Sequence, residues 1–262
     1  MTILILGAGE SGLGSALLAK KNNYNVFISD VGDILDSTKE KLINSSINFE
    51  ENSHEKARTL NVDLVIKSPG ISDSSDIVKF LDSKQLKIIS EIEFASTYCD
   101  SKIIGITGSN GKTTTKELIN SVLKTHFKTY CTKGNLNNHI GVPLSLLEIS
   151  DNTEFAVIEM GMNNKGEIGY LSKMVSPTHG LINNAGAAHV GRLGTIEDVA
   201  KAKGELIDGL IDNGQVVLNM DDSYFKFWEK KSEDKHVTSF GLTKHADVTA
   251  KYKMRSSSSQ IF

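Results

Sequence analysis

Residues 102–115 contain the residue types that bind nucleotide phosphates. Residues 102–106 form an apolar run typical of a buried strand, and residues 113–126 predict a helix. Backbone N–H groups, the positive end of a helix and a lysine can hold phosphates together, and a hydroxyl after the lysine can bind Mg²⁺. The residues predicted to bind a nucleoside triphosphate are Gly108, Ser109, Asn110, Gly111, Lys112, Thr113 and Thr114. The predicted apolar face of the helix consists of Leu118, Ile119, Val122 and Leu123.

The match to the general P-loop pattern is incomplete. Ile106 stands where G-x-x-x-x-G-K-[ST] has its first glycine. The alternative is a glycine turn between a strand and a helix with an incidental lysine. The flanking strand and helix favour a nucleoside triphosphate site, because phosphate binding requires both.

Two further polar side chains follow predicted strands. Glu159 comes directly after an apolar run at residues 155–158, and His189 lies beyond another run at residues 180–182. Ligands of parallel sheets bind at the carboxyl ends of the strands, and oxygen ligands suit Mg²⁺. We therefore expect Thr113 and Glu159 to bind metal, with His189 at a second metal site. Taken alone, Glu159 could be a surface charge and His189 a capping or core residue.

The first residues contain a second glycine-rich loop. Gly7, Gly9 and Gly12 form a G-x-G-x-x-G pattern between a predicted strand and a predicted helix, and Asp30 ends the next predicted strand. This spacing is typical of dinucleotide-binding folds. Glu10 inside the loop would repel a pyrophosphate, which disfavours NAD. Another nucleotide ligand and a purely structural turn both stay open.

Alternating strands and helices predict two α/β domains. Residues 1–100 indicate a Rossmann-like domain with parallel strands, and residues 101–262 a P-loop-type parallel α/β domain. Residues 98–101 are the expected joint. A length of 262 residues suits two ordinary domains.

Composition excludes several classes of protein. The net charge of −3 provides no bulk polyanion-binding surface, so we expect no nucleic-acid partner. Apolar runs fall short of the roughly 20 residues that span a bilayer, and the start lacks the features of a signal peptide. Two cysteines suggest a reducing compartment. We expect a cytoplasmic monomer without membrane contact.

From residue 101 onward, the sequence resembles the Mur ligases of bacterial cell-wall synthesis. Residues 133–143, with three asparagines and His139, are part of that resemblance, although a solvated loop is the alternative. The runs at 132–138 and 158–163 are similar to the D-alanyl-D-alanine-adding members. The matching runs are, in order, residues 107–114, 134–143, 159–161, 184–189 and 202–205.

Residues 1–100 are instead similar to the N-terminal domain of the D-glutamate-adding members. The similarity lies in residues 7–14, 67–71 and 89–94. In that family the domain binds the UDP end of the substrate. The resemblance therefore implies that this end of a UDP-N-acetylmuramoyl peptide binds to Gly9, Ser11, Gly12 and Asp30.

The resemblance also implies a reaction. Mur ligases couple ATP hydrolysis to amide formation through an acyl phosphate and release ADP. By this resemblance the catalytic residues are Lys112, Lys203 and His189, with Lys203 carbamylated, and Asn138 and His139 line the space between ATP and substrate. The implied cofactors and partners are ATP as the nucleoside triphosphate, two Mg²⁺ ions, a UDP-N-acetylmuramoyl peptide and D-Ala-D-Ala or another amino donor.

The sequence departs from the family pattern beyond these motifs. Mur ligases have a third domain and a late G-x-H-N-x-x-N stretch, so we expect residues 101–262 to be incomplete at their C-terminal end. We expect ATP binding with little turnover. The alternatives are a D-glutamate-adding ligase, a non-catalytic nucleotide-binding fragment and an NAD-dependent oxidoreductase.

Overall fold

The structure is a computed structural model that describes residues 1–188, 190–243, 245–255 and 258–261. The chain divides into two compact units, Met1–Tyr98 and Cys99–Phe262. None of the described helices has the length and apolarity that a bilayer-spanning helix needs.

The first unit is a five-stranded parallel sheet with strand order β3-β2-β1-β4-β5. Its elements are β1 (Thr2–Leu6), α1 (Glu10–Lys21), β2 (Asn25–Ser29), α2 (Asp36–Asn44), β3 (Asn48–Glu50), α3 (Glu55–Thr59), β4 (Leu64–Lys67), α4 (Asp76–Ser83), β5 (Ile88–Ser90) and α5 (Glu91–Ser96). Ile3 and Ile5 of β1 pack into one core, and Leu4 and Leu6 into another. Because side chains alternate along a strand, helices cover this sheet on both faces.

The second unit contains a seven-stranded parallel sheet with strand order β12-β11-β10-β9-β6-β8-β7. Its elements are β6 (Lys102–Thr107), α6 (Lys112–Leu123), β7 (Thr129–Cys131), α7 (Gly141–Leu147), β8 (Phe155–Glu159), α8 (Glu167–Val175), β9 (His179–Ile182), α9 (Val190–Leu193), α10 (Ile196–Asp208), β10 (Gln215–Asn219), α11 (Phe225–Lys231), β11 (His236–Gly241) and β12 (Val248–Thr249). A separate antiparallel pair is formed by β13 (Tyr252–Arg255) and β14 (Ser258–Ile261). Since β6 lies between β8 and β9, the carboxyl ends of these three strands meet at one edge.

The main core of the second unit lies between the sheet and helices α8, α10 and α11. Trp228 of α11 is fully buried there, and its Nε1 donates to the Ala200 carbonyl oxygen at 2.9 Å. At the start of α10, Thr195 and Asp198 form a reciprocal capping box. The predicted fold class, a Rossmann-like unit followed by a P-loop-type parallel α/β unit, is confirmed.

The predicted apolar face of α6 is partly wrong. Ile119 and Leu123 pack against the core, but Leu118 and Val122 are 62% and 69% exposed. The buried member of α6 is Lys116. Residues 116, 119 and 123 are spaced i, i+3 and i+7, so they form one stripe of a helix. Leu118 and Val122 lie beside that stripe and face solvent.

Candidate nucleotide-binding site

The glycine loop after β6 is tightly enclosed. Gly111 has φ +74°, a left-handed conformation that favours glycine. A Cβ at Gly108 would lie 2.8 Å from Asn183 Cβ, so the close approach also requires glycine. Lys112 begins α6 directly after the loop, and its Nζ donates to the Gly108 carbonyl oxygen at 2.8 Å. Burial lowers the pKa of Lys112, and the negative charge of Glu159 opposes that shift.

Residues that follow β9 hold the loop in place. Asn184 Oδ1 accepts from the backbone N–H groups of Ser109 and Asn110 at 3.1 and 2.8 Å. Asn183 Nδ2 donates to the Asn110 carbonyl oxygen at 2.7 Å, and the Gly186 N–H donates to Ser109 Oγ at 2.8 Å. Two of the loop N–H groups expected to face a phosphate therefore bind Asn184 instead. The amino end of α6 and Lys112 are the groups left to attract an anion.

Glu159, at the end of β8, accepts two hydrogen bonds through its carboxylate and donates one through its backbone. Its Oε2 accepts from Thr113 Oγ1 at 3.0 Å, and its Oε1 accepts from Asn137 Nδ2 at 2.8 Å. Its backbone N–H donates to Thr132 Oγ1 at 3.0 Å. Glu159 is only 1% exposed, so it is not a solvated surface charge. The structure thus brings together Thr113 and Glu159, two of the three predicted metal ligands.

The donor set fits a magnesium ion that arrives with phosphates. Mg²⁺ is usually bound through one or two carboxylates, with phosphate oxygens and waters completing the shell. The carboxylate of Glu159 and the hydroxyl of Thr113 supply such a partial shell. The described residues contain no cluster of three or more His, Cys, Asp and Glu side chains suited to a metal. The third predicted ligand, His189, lies outside the described residues.

Lys203 of α10 is 2% exposed, unlike Lys201 on the same helix, which is exposed and pairs with Glu197. A Cβ at Gly105 of β6 would lie 3.3 Å from Leu206 Cδ1. Because α10 connects two parallel strands, it runs in the opposite direction to them. Lys203 precedes Leu206 by about one turn, so it lies nearer the glycine loop than Leu206 does. Burial, and after it the charge of Lys112, lowers the pKa of Lys203 to about 7.

The asparagine-rich segment places its polar side chains in different surroundings. Asn138 Oδ1 accepts from the N–H groups of Ile140 and Gly141 at 3.0 and 2.9 Å, so this side chain caps the start of α7. His139 is exposed. The asparagine that contacts Glu159 is Asn137, which the sequence interpretation missed.

In the first unit, the predicted substrate residues surround the other glycine loop. Asp30 Oδ2 accepts from the Ala8 N–H at 2.7 Å, and Oδ1 from the Gly32 N–H at 2.8 Å. A Cβ at Gly12 would collide with the Gly7 carbonyl oxygen, so α1 packs directly on the loop. Gly9 and Ser11 are exposed. A cavity of about 520 Å³ opens beside Asp30, and its lining includes Val31, His54, Arg58, Gly70, Ile71 and Ser75.

Comparison with known families identifies the chain. Residues 106–262 match the Mur ligase middle domain, and residues 2–77 match the MurD N-terminal domain. The first match covers more than half of the chain. The protein therefore belongs to the Mur ligase family, as the sequence motifs predicted. Members of this family are ATP-dependent ligases that build peptidoglycan precursors.

Individual relatives come from two branches of the family. The chain is 50% identical over 116 residues to UDP-N-acetylmuramoyl-tripeptide--D-alanyl-D-alanine ligase of Bacillus subtilis, covering 44% of this chain and 25% of that protein. It is 33% identical over 235 residues to UDP-N-acetylmuramoylalanine--D-glutamate ligase of Christiangramia forsetii, covering 88% of this chain and 50% of that protein. The chain thus spans half or less of the length of these relatives.

Solved structures confirm the fold. MurF ligase from Thermotoga maritima in complex with ADP is 23% identical, with a TM-score of 0.59, and the match covers 90% of this chain and 52% of that one. UDP-N-acetylmuramoylalanyl-D-glutamyl-2,6-diaminopimelate--D-alanyl-D-alanyl ligase from Acinetobacter baumannii is 28% identical, also with a TM-score of 0.59. That match covers 77% of this chain and 44% of that one.

Proposed function

We propose that this chain catalyses ATP-dependent, ADP-forming amide formation on a UDP-N-acetylmuramoyl peptide, with D-Ala-D-Ala as the amino donor. The observation that carries the proposal is the contact between Thr113 Oγ1 and Glu159 Oε2 beside Lys112 at the glycine loop. The choice of donor rests on the 50% identity to the Bacillus subtilis ligase.

The first step joins two anions, so the site must screen their charges. A carboxylate oxygen of the substrate bonds to the γ-phosphorus of ATP, and the bond from that phosphorus to the bridging oxygen of ADP breaks. Lys112 places a cation at the start of α6, where phosphates bind. Bound Mg²⁺ supplies further charge neutralisation. Thr113 and Glu159 are the residues that would hold the ion, and Asn137 fixes the other oxygen of the Glu159 carboxylate.

The second step is attack of the amine on the acyl carbon, with phosphate as the leaving group. Orientation by the protein can lower such a barrier by about 7–11 kcal/mol. We assign His189 to a second metal site, and Asn138 and His139 to the space between ATP and substrate. These three assignments rest on the family resemblance.

Lys203 is the proposed site of carbamylation. A carbamate forms when a neutral amine attacks CO₂ and releases a proton, and the low pKa of Lys203 keeps part of the population neutral near pH 7. The product carries a negative charge in a buried place beside Lys112, so the pair becomes mutually attractive. Carbon-13 NMR of protein in ¹³C-bicarbonate tests this assignment. We expect a carbamate signal that Lys203→Arg removes and Lys201→Arg retains.

In the first unit we propose binding of the UDP end of the substrate through Gly9, Ser11, Gly12 and Asp30. Glu10 at the amino end of α1 repels the pyrophosphate of NAD and of UDP alike, so the preference for UDP rests on the family resemblance. We place the reaction in the cytoplasm, because the free Cys99 and Cys131 require no oxidising compartment.

A second candidate is the D-glutamate-adding reaction. It is favoured by the match of residues 2–77 to the MurD N-terminal domain and by the relative from Christiangramia forsetii. The two candidates share ATP and the acyl phosphate and differ in the muramoyl peptide and the amino donor.

The deciding experiment is a donor exchange with the 262-residue chain. The chain is incubated with Mg²⁺, ATP and each muramoyl substrate, together with D-Ala-D-Ala or D-glutamate, and phosphate release and product mass are measured. We expect little turnover by this chain, and what product forms should require D-Ala-D-Ala and the tripeptide substrate. Product only with D-glutamate supports the second candidate. ATP binding without either product supports a non-catalytic nucleotide-binding role.

A further inference from the structure

Lys116 is a fully buried lysine in the helix that starts at the candidate phosphate site. It lies one turn after Lys112 in α6 and is 0% exposed. Lysine is almost never fully buried unless its charge is paired. The partners of Lys116 therefore indicate what this charge does.

The Lys116 ammonium binds the segment between β7 and α7. Its Nζ donates to the carbonyl oxygens of Thr132 at 2.7 Å and Gly134 at 3.2 Å. This segment continues to Asn137, whose own carbonyl oxygen accepts from the Gly161 N–H at 2.7 Å. Lys116 thus fastens the start of the segment, and Asn137 fastens its end.

Lys116 also faces two carboxylates of different exposure. Its Nζ lies 3.1 Å from Glu117 Oε1, which is on the surface, and 3.9 Å from Glu159 Oε2, which is buried. A buried carboxylate requires a nearby positive charge or several hydrogen bonds. Lys116 supplies such a charge near the oxygen that accepts from Thr113, in addition to the charge of Lys112.

We infer that Lys116 is a positioning residue for the Mg²⁺-dependent part of ATP binding, acting through Glu159 and the segment that carries Asn137. It is enclosed by Thr132, Gly134 and Glu159, so it acts on the ligand through them. The inference deepens the proposed function and rests on it. In this proposal Lys112 binds the phosphates, and Lys116 holds the Glu159 carboxylate in position.

The test is a double-mutant cycle on the full chain with Lys116→Met and Glu159→Gln. ATP affinity is measured by titration with excess Mg²⁺ and with a chelator, and the ratio of the two affinities is the readout. We expect Lys116→Met to reduce this ratio about tenfold, while the affinity in chelator stays within about threefold because Lys112 is intact. Since residues that act through one another are not additive, the double variant should match Glu159→Gln.

A control and a second measurement separate positioning from general destabilisation. Glu117→Gln removes the exposed partner of Lys116 and should leave the ratio unchanged. Hydrogen exchange on the ligand-free protein should be faster at the amides of residues 133–138 in Lys116→Met, with no change in Glu117→Gln. If Lys116→Met does not fold, Lys116→Gln, which retains a hydrogen-bond donor, carries the same two measurements.

The outcomes are distinguishable. A wild-type chain whose ATP affinity does not depend on Mg²⁺ contradicts the proposed function itself. A wild-type chain with that dependence, combined with an unchanged ratio in the Lys116 variant or additive effects in the double variant, overturns the role of Lys116 alone.

Discussion

The two glycine loops of this chain have the same local architecture and opposite charge. Each follows a parallel strand and precedes a helix, but α1 begins with Glu10 and α6 begins with Lys112. In the first unit, the Asp30 carboxylate accepts from the loop N–H of Ala8. In the second, the neutral amide of Asn184 accepts from the loop.

This difference shows that the glycines determine the shape of each loop, whereas the charges determine its ligand. Glycine lets the backbone turn and lets a helix or a ligand approach closely. The charge at the start of the helix then decides which ligands are attracted. The pattern of glycines alone would have assigned both loops to nucleotide phosphates, whereas the charges favour the triphosphate in the second unit only.

The largest expected effect is a change in the free energy of unfolding caused by Lys203, a buried lysine of the second unit. Lys203→Met should raise the free energy of unfolding at pH 6, because a buried ammonium whose pKa falls from 10.5 to about 7 destabilises the folded state. At about 1.4 kcal/mol per pKa unit, the gain is roughly 2–5 kcal/mol. The folded protein binds fewer protons than the unfolded chain between pH 7 and 10.5, so the wild type regains stability across that range and the gain shrinks.

Urea unfolding followed by Trp228 fluorescence measures this effect, because the single tryptophan lies against α10 in the second unit. Buffers free of CO₂ prevent carbamylation. Lys201→Met on the exposed face of the same helix is the control and should change stability by less than about 0.5 kcal/mol. A gain that is the same at pH 6 and pH 10 would contradict the titration.

The next effect concerns phosphate binding. Lys112→Ala should weaken ATP binding at least a hundredfold, about 2.7 kcal/mol, because it removes the cation at the start of α6. UDP binding and the fluorescence of native Trp228 should stay the same, because the fold is retained. Lys124→Ala, an exposed lysine just beyond the other end of α6, should bind ATP as the wild type does. Unchanged ATP affinity in Lys112→Ala would remove the basis for the phosphate site.

A smaller effect is expected in the first unit. Asp30→Ala should weaken binding of a UDP-sugar about tenfold, about 1.4 kcal/mol, because Asp30 holds the loop N–H of Ala8 and the N–H of Gly32. ATP affinity should not change. Asp36→Ala, at the fully exposed start of α2, is the matched control. Isothermal titration of both ligands measures the effect, and a parallel loss of ATP affinity would show that the loops are not independent.

The smallest effect tests the charge inside the first loop. Glu10→Gln should tighten UDP binding by about two- to threefold, since it removes a negative charge from the amino end of α1. If the variant instead acquires tight NAD binding, the loop is a dinucleotide site in which the charge of Glu10 alone prevents binding. Weaker UDP binding would contradict the repulsion argument.

The sequence predicted the parts of the site that depend on neighbours along the chain. The strand, glycine loop and helix around Lys112 are local, and Glu159 follows an apolar run. Short elements such as β3 and α3 were missed because three to five residues give too little periodicity. The burial of Lys203 could not be predicted either, because helix periodicity alone does not show which lysine of α10 packs against the sheet.

Contacts across the fold explain what the sequence interpretation missed. Nothing in the asparagine run distinguishes Asn137, which contacts Glu159, from Asn138, which caps a helix. Lys116 did leave a signal, because it shares the i, i+3, i+7 stripe with Ile119 and Leu123. A lysine on an apolar stripe indicates a buried charge. Its buried partner, Glu159, lies on another element of the fold, so the sequence around Lys116 does not identify it.

Simultaneous binding of two ligands tests the central claim most directly. The wild-type chain is titrated with Mg·ATP in the presence and absence of saturating UDP-N-acetylmuramoyl tripeptide. The account predicts one ATP site per chain in both titrations, lost in Lys112→Ala and retained in Asp30→Ala. Displacement of ATP by the UDP ligand, or tight NAD binding without ATP binding, would contradict the assignment of separate ligands to the two loops.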